Sequence, residues 1–392
     1  MFEAQYAQGT GRAQTNPDAQ RLLWRRKSHE RKVCRMEKAY LILETGEIFE
    51  GKGFGAVSES IGELVFNTSV VGYVETLTDP NYYGQTLMFT FPQLGNYGIV
   101  PIDSENTKCY VKGVVAHEWC QEPSNFRCMG NIDEFLKQQG VCGICGVDTR
   151  RLTQIVRDHG VMNAIITNKV PENMLSDLHN YKVTGAVEAV SIREPAVFIP
   201  EGEEKYHVVV ADFGAKKHLI RELTGRGCKV TVVPYNTTAE DILALNPNGV
   251  VLTEGPGDPA ENTGCIEEVK KLMGKVPMYA VGLGHQILAL AAGAQTGKLK
   301  FGHHGSNQPV KNVKTGRSYV TAQNHNYYVT AESVEGTAAE ISYISLNDKS
   351  CEGLEYPGMK AFSLQFTPDY TGSMRDMENV YDRFVNMMGG ND

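Results

Sequence analysis

The segment PMYAVGLGHQILALAAGA (277–294) runs from a short apolar strand through a sharp Gly-rich turn into a helix. That is the layout of a nucleophile elbow, in which the turn lifts one side chain above a sheet and the following helix aims its first amides at it. The position that should carry the nucleophile is Gly282, which has no side chain to attack with. An elbow strains its central residue, often to positive φ, and glycine alone sits there without penalty. A glycine therefore preserves the turn while removing the chemistry. Other reactive side chains offer no clear substitute. His285 opens the helix after the turn, and His303, His304 and His325 are expected in later loops. A histidine in such a setting more often orders backbone than performs acid–base work. Cys265 falls on a helix away from the elbow and reads as core, and Ser306 has no evident base. Cys142 and Cys145 form a CxxC with no second pair at zinc-ligand spacing, so they read as packing residues and no metal is expected. Neither GxxxxGK[ST] nor HExxH occurs, so independent ATPase and zinc-hydrolase readings have no residues to rest on.

The elements around the elbow belong to a regular pattern. From Tyr206 onward the apolar runs YHVVVADFG, KVTVVPYN, GVVLTEGP and PMYAVGLG alternate with helical segments such as HLIRELTGRG and AEDILALN. Short apolar strands between helices predict a parallel sheet covered on both faces. Thr238 to Asp241 has the form of a capping box and fixes one helix start. Ligands in such sheets bind at the carboxyl ends of the strands, where GPGDP and VGLGH fall.

Upstream, from Ala39 to about Asn168, β-rich runs such as AYLILETGEIFEG and GELVFNTSVVGY precede a helical TRRLTQIVRDHG, predicting a mixed α/β domain over 36–189. The stretch 190–205, with two prolines and a charge cluster, is expected to connect it to the second domain at 206–390. Residues 1–35 hold eight Lys or Arg against three acids and little apolar periodicity. They read as a disordered basic leader, either an organellar transit peptide or an upstream start with Met36 opening the first domain; the second is preferred.

Composition bounds the rest. With 41% hydrophobic and 21% charged residues, and no apolar run of eighteen, a membrane helix is excluded. The net charge is −8, and removing the +5 leader leaves −13 for the body, so no whole-protein attraction to nucleic acid or an anionic membrane is expected. Nine scattered cysteines suggest a reducing compartment, the cytoplasm by default.

Taken together, GELVFNTSVVGYVETLTDPNYYGQ, GVDTR, DFGAKKHLIREL, GPGDP, GLGHQ, FGHHGSNQPV and TAQNHNYYV resemble, in order and approximate spacing, the carbamoyl phosphate synthetase small subunit, from about Glu37 to Met388. The resemblance implies an α/β chain with the family's N-terminal mixed α/β small-subunit domain and a class I glutamine amidotransferase domain. In the family a cysteine in GxCxGHQ attacks the glutamine amide, aided by His and Glu of FQxHPE. Ammonia then passes to a large subunit, which makes carbamoyl phosphate with bicarbonate and ATP, in pyrimidine and arginine biosynthesis. ATP and magnesium are thus expected on the large subunit and no cofactor on this chain.

Measured against that pattern, the cysteine aligns with Gly282, the histidine with Thr367 and the glutamate with Asp369, while a motif glycine aligns with Ala280. A threonine hydroxyl does not accept a proton at neutral pH as imidazole does. Of the glutamine-binding positions, Gly255, Gly257, Leu283, Gln286 and Asn324 match the family, whereas Asn81 replaces a serine, Asn326 a glycine and Tyr327 a phenylalanine. The expectation is a chain unable to hydrolyse glutamine, serving as structural or regulatory partner of an ammonia-using large subunit in a heterodimer. The alternative is a stand-alone module that binds a glutamine-like ligand in a remodelled pocket. A hydrolase with a rewired nucleophile is the third and least favoured reading.

Overall fold

The computed structural model describes residues 37–170, 174–368, 377 and 379–390. The expected leader at 1–35, Met36 and Asp369 lie outside the described residues. The chain divides into two compact units, the first ending at Val183 and the second beginning at Thr184.

The first unit contains β1 (Lys38–Leu43), β2 (Ile48–Gly55), β3 (Ser60–Asn67), β4 (Gln85–Phe89), β5 (Gln93–Leu94), β6 (Gly113–Ala116), β7 (Glu118–Trp119), β8 (Cys142–Cys145) and β9 (Met162–Thr167). Seven of these close a barrel in the order β1-β2-β8-β6-β4-β3-β9, while β5 and β7 pair separately. The run β3-β4-β6-β8 is parallel and the remaining pairs are antiparallel, which makes the sheet mixed. Its helices are α1 (Tyr73–Leu77), α2 (Ile132–Gln139), α3 (Thr149–His159) and α4 (Met174–Asn180). α3 starts where Asp148 accepts the Arg151 N–H at 2.9 Å. It buries Leu152, Ile155 and Val156, one face at helical spacing. Cys142 and Cys145 are both buried in β8, and burial pushes the Cys145 thiol up to about 11.

The second unit carries the ten-stranded sheet. β10 (Ala196–Phe198), β11 (Tyr206–Asp212), β12 (Cys228–Pro234), β13 (Gly249–Leu252), β14 (Met278–Val281), β15 (Thr296–Asn312), β16 (Ser318–Val329), β17 (Glu340–Ser345), β18 (Cys351–Tyr356) and β19 (Ala361–Leu364) form it. Their order is β10-β12-β11-β13-β14-β19-β18-β16-β15-β17, and β17 also pairs with β18. The five strands from β12 to β19 run parallel, and the rest are antiparallel. The helices are α5 (Ala186–Val190), α6 (Lys217–Gly225), α7 (Ala239–Ala244), α8 (Thr263–Leu272), α9 (Leu283–Ala291), α10 (Ala331–Val334) and α11 (Asn379–Met388). Val208 to Val210 and Val250 to Leu252 are fully buried, as strands covered on both faces must be. Thr238 caps α7, its Oγ1 accepting the Asp241 N–H at 3.2 Å and donating to the Asp241 carboxylate at 2.7 Å.

The expected connection at 190–205 is corrected by this structure. Val187 packs into the second unit's core, the Ile192 N–H donates to Asp212 Oδ2 at 2.7 Å, and β10 pairs with β12. The chain has therefore joined the second unit before residue 190, and the prolines flank a strand instead of a free linker.

Candidate functional site

β14, entirely buried, delivers the chain to Gly282 at the start of α9. There φ is 58° and ψ is −117°, a combination that residues with a β-carbon avoid. The Gly282 N–H donates to Leu364 O at 2.9 Å, so the strained turn is anchored on β19. Gly255 is required for another reason, close approach: a β-carbon there would lie 2.4 Å from Phe213 O and 2.8 Å from Leu283 Cδ2. The elbow and the GPGDP loop thus meet at the carboxyl ends of adjacent parallel strands, β13 and β14.

The space into which a Gly282 side chain would project is occupied by Glu254. A β-carbon on Gly282 would meet Glu254 Cγ at 2.9 Å, Cβ at 3.1 Å and Cα at 3.2 Å. The Glu254 side chain is only 8% exposed, and Lys216, 6% exposed, forms a close ion pair with its Oε2. Thr367 Oγ1 donates to Glu254 Oε1 at 2.5 Å. Thr367 is itself held by a bridge to Ala322 on β16, its N–H donating to Ala322 O at 3.0 Å. Three residues from three loops thereby make one buried, charge-compensated assembly at the elbow. Sequence reasoning passed over Glu254 and Lys216; an acid ending the otherwise apolar strand run GVVLTE was the available signal.

The glutamine-pocket positions divide into those that remain open and those tied to their neighbours. Gln286 is buried, and its Nε2 donates to Tyr327 O at 2.7 Å and to Gln365 Oε1 at 2.9 Å. Asn324 and Asn326 turn their amides to the two nitrogens of His304, at 2.6 Å from Nδ1 and 2.9 Å from Nε2. The Tyr327 ring lies under the Lys298 ammonium, 5.6 Å from it. Leu283 is buried in the core against Gly255. Gly257 borders an open cavity of about 440 Å³, shared with Tyr235, Asp258, Glu188, Glu261 and Glu268. Asn81 belongs to the first unit, buried in a single 3-10 turn where its N–H donates to Asp79 Oδ1 at 2.9 Å. The position of Asp369 is outside the described residues.

The histidines have distinct settings. His285 is fully buried with Nδ1 2.8 Å from Ser363 Oγ, and burial lowers its pKa to about 3, so it stays neutral. Burial likewise holds His325 well below the usual imidazole range. For His303 burial opposes charge, yet the hydrogen bond to Asp348 and the negative charge of Glu352 beside the ring outweigh it and raise the pKa to about 9. Cys265 is buried in α8, its Sγ donating to Tyr235 O at 3.3 Å, and desolvation pushes the thiol up to about 11. It is a packed thiol, not a thiolate.

Residues 41–166 match the family "Carbamoyl-phosphate synthase small chain, CPSase domain" and residues 209–387 match "Glutamine amidotransferase class-I". The carbamoyl phosphate synthase small chain of Listeria monocytogenes serotype 4b (strain F2365) is 44% identical over 358 residues, spanning 91% of this chain and 98% of the relative. That of Bacillus anthracis is 44% identical over 353 residues, 90% and 96% of the two chains. That of Oceanobacillus iheyensis is 43% identical over 356 residues, with the same shares covered. With both domains in this order and such identity sustained along nearly the full length of these relatives, the chain belongs to the carbamoyl phosphate synthase small-chain family.

Proposed function

We propose that this small chain does not hydrolyse glutamine and serves instead as structural or regulatory partner of a carbamoyl phosphate synthase large subunit that takes free ammonia. The setting of this reading is a cytoplasmic heterodimer in pyrimidine and arginine biosynthesis, with ATP and magnesium on the large subunit and neither nucleic acid nor membrane as partner. Among the described residues no helix is long and apolar enough to cross a membrane.

The observation that carries the reading is Glu254 beneath the elbow. Amide hydrolysis by the family's route needs a thiolate at the turn, a base to activate it, and room for a tetrahedral carbon. Here the turn residue is Gly282, and the room beneath it is taken by the Glu254 side chain. Thr367, at the base position, spends its proton on Glu254 and accepts none. Glu254 is no replacement nucleophile, because Thr367 engages one carboxylate oxygen and Lys216 the other. An ion pair of this kind keeps the carboxylate where it is and lowers its reactivity.

The test is carbamoyl phosphate synthesis by this chain with its cognate large subunit, comparing glutamine with ammonium chloride. Synthesis from ammonium chloride with none above background from glutamine is expected. Glutamine-dependent synthesis would overturn the reading. A second reading, a module binding a small ligand on its own, is favoured by the cavity beside Gly257. A calorimetric screen with amino acids and amides tests it, and absence of binding removes it.

A further inference from the structure

Away from the elbow, the antiparallel half of the second unit's sheet contains a buried polar cluster that no step above uses. His303 on β15 stands directly opposite His325 on β16, and their rings meet edge to face with centroids 5.0 Å apart. Glu352, on β18, is completely buried beside them. One ligand atom from each of these three residues lies within 4.8 Å of the others.

The hydrogen bonds around the cluster turn one nitrogen of each imidazole inward. His303 Nε2 faces Asp348 Oδ2 at 2.8 Å, which leaves Nδ1 pointing at Glu352 Oε1 from 3.5 Å, too far for a good hydrogen bond. That Nδ1 is buried without a hydrogen-bond partner among the described residues. His325 Nδ1 is 2.7 Å from Tyr327 O, and since a carbonyl only accepts, Nδ1 carries the proton and Nε2 of the neutral ring presents a lone pair. Nε2 meets Gln323 Oε1 at 3.1 Å. The amide is held that way round: its Nε2 donates to Glu352 Oε2 at 2.9 Å and to Thr321 Oγ1 at 3.2 Å, and the Thr321 proton is already given to Gln308 O. Two acceptors therefore face one another in a buried place, an arrangement that a bound cation resolves.

We infer that His303 Nδ1, His325 Nε2 and Glu352 Oε1 bind one divalent transition-metal ion, with Zn²⁺ the best match to two imidazoles and a carboxylate. Zinc holds such donors at about 2.0–2.1 Å in tetrahedral geometry, which sets them about 3.3 Å apart. The His303–Glu352 separation of 3.5 Å is already close to that. Each histidine has the outer partner that metal-bound imidazoles use, a carboxylate for His303 and a backbone carbonyl for His325. Gln323 Oε1 is placed to be the fourth donor. Two carboxylates, Asp348 and Glu352, supply the charge that a divalent ion balances. The role is structural: the ion fastens β15 and β18 to β16, the strand that bears Asn324, Asn326 and Tyr327. The sequence concealed the site because its donors lie on three strands at spacings of 22 and 27 residues, unlike any short zinc motif. The inference stands whether or not glutamine is hydrolysed.

The experiment uses the untagged full chain, stripped with a chelator and titrated with Zn²⁺ by calorimetry, then loaded with Co²⁺ for visible spectroscopy. One equivalent of Zn²⁺ and a tetrahedral cobalt spectrum without thiolate charge transfer are expected. Asp348→Asn, which leaves all three donors in place, weakens Zn²⁺ binding by about 10–100-fold. Glu352→Gln abolishes stoichiometric uptake; if that variant fails to fold, the wild-type cobalt spectrum and the Asp348→Asn affinity decide. Absence of stoichiometric Zn²⁺ uptake by the wild type overturns the proposal, leaving protonated His303 as the counter-charge. A cobalt spectrum with thiolate bands overturns it as well, by assigning the metal to cysteines.

Discussion

Placing a thiol at the elbow by Gly282→Cys should destabilise the chain and leave glutamine untouched. The backbone at φ 58° and ψ −117° disfavours any β-carbon, at about 1–3 kcal/mol. The new atom would also sit 2.9 Å from Glu254 Cγ and 3.2 Å from its Cα. These are not the free end of a flexible side chain, so the end of β13 must shift, an overpacking penalty of about 1–3 kcal/mol. Loss of glycine's freedom in the unfolded chain returns about 0.5–1 kcal/mol. The net is a destabilisation of ~1–5 kcal/mol, read from the urea unfolding transition of the full chain. Glutaminase assays on the same variant should stay at background, because Thr367 leaves the thiol without a base. A Gly282→Cys chain as stable as the parent would refute the packing argument. One that released ammonia from glutamine would refute the chemical argument.

Three more outcomes follow from buried polar groups. Lys216→Met leaves Glu254 charged without its counter-ion and should cost about 3–5 kcal/mol, whereas Lys216→Met with Glu254→Leu should come within about 1–2 kcal/mol of the parent; a double-mutant cycle in urea measures the difference. Gln286→Leu removes the donor to Tyr327 O and Gln365 Oε1, with an expected loss of about 1–3 kcal/mol and unchanged ammonia-dependent synthesis, checked by unfolding and by coupled assay. Glu75 is buried in the first unit, and burial raises its pKa from the ordinary 4.5 to about 7. The folded state thus binds the proton more tightly than the unfolded one, so stability is complete below pH 4.5, falls as pH rises to about 7 and is flat above, a total of ~3 kcal/mol. Glu75→Gln should flatten that slope in urea midpoints measured from pH 4 to 8, and an unchanged slope would discard the assignment.

What could be read from sequence follows local pattern, and what could not depends on distant pairing. The parallel strands from Tyr206 to Val281, the Thr238 cap and the elbow at Gly282 all lie in short contiguous signals, and all appear in the structure. The closure of the first barrel depends on β9 pairing with both β1 and β3, with partners 98 to 127 residues apart, and no local signal carries it. The Lys216–Glu254 pair joins two loops whose residues look like ordinary charged loop positions one at a time. Gln286, Asn324 and Asn326 matched or modified a ligand-binding pattern by type, yet Gln286 Nε2 and both asparagine Oδ1 atoms bond to the protein itself, while Asn324 Nδ2 is buried without a partner among the described residues. Residue identity cannot distinguish a side chain that awaits a ligand from one already engaged.

The ends of the second unit's sheet bear on how such a chain avoids sticking to its own copies. At one end β17 pairs with both β15 and β18, so the ladder turns back on itself and offers no open row of amides there. At the other, the edge strand β10 is three residues long, with Pro195 and Pro200 close on either side. Proline has no N–H to lend a foreign strand, and three residues give little length for one to grip. The feature that resembled a linker is thus a safeguard against edge-to-edge aggregation, and replacing both prolines would expose a longer template.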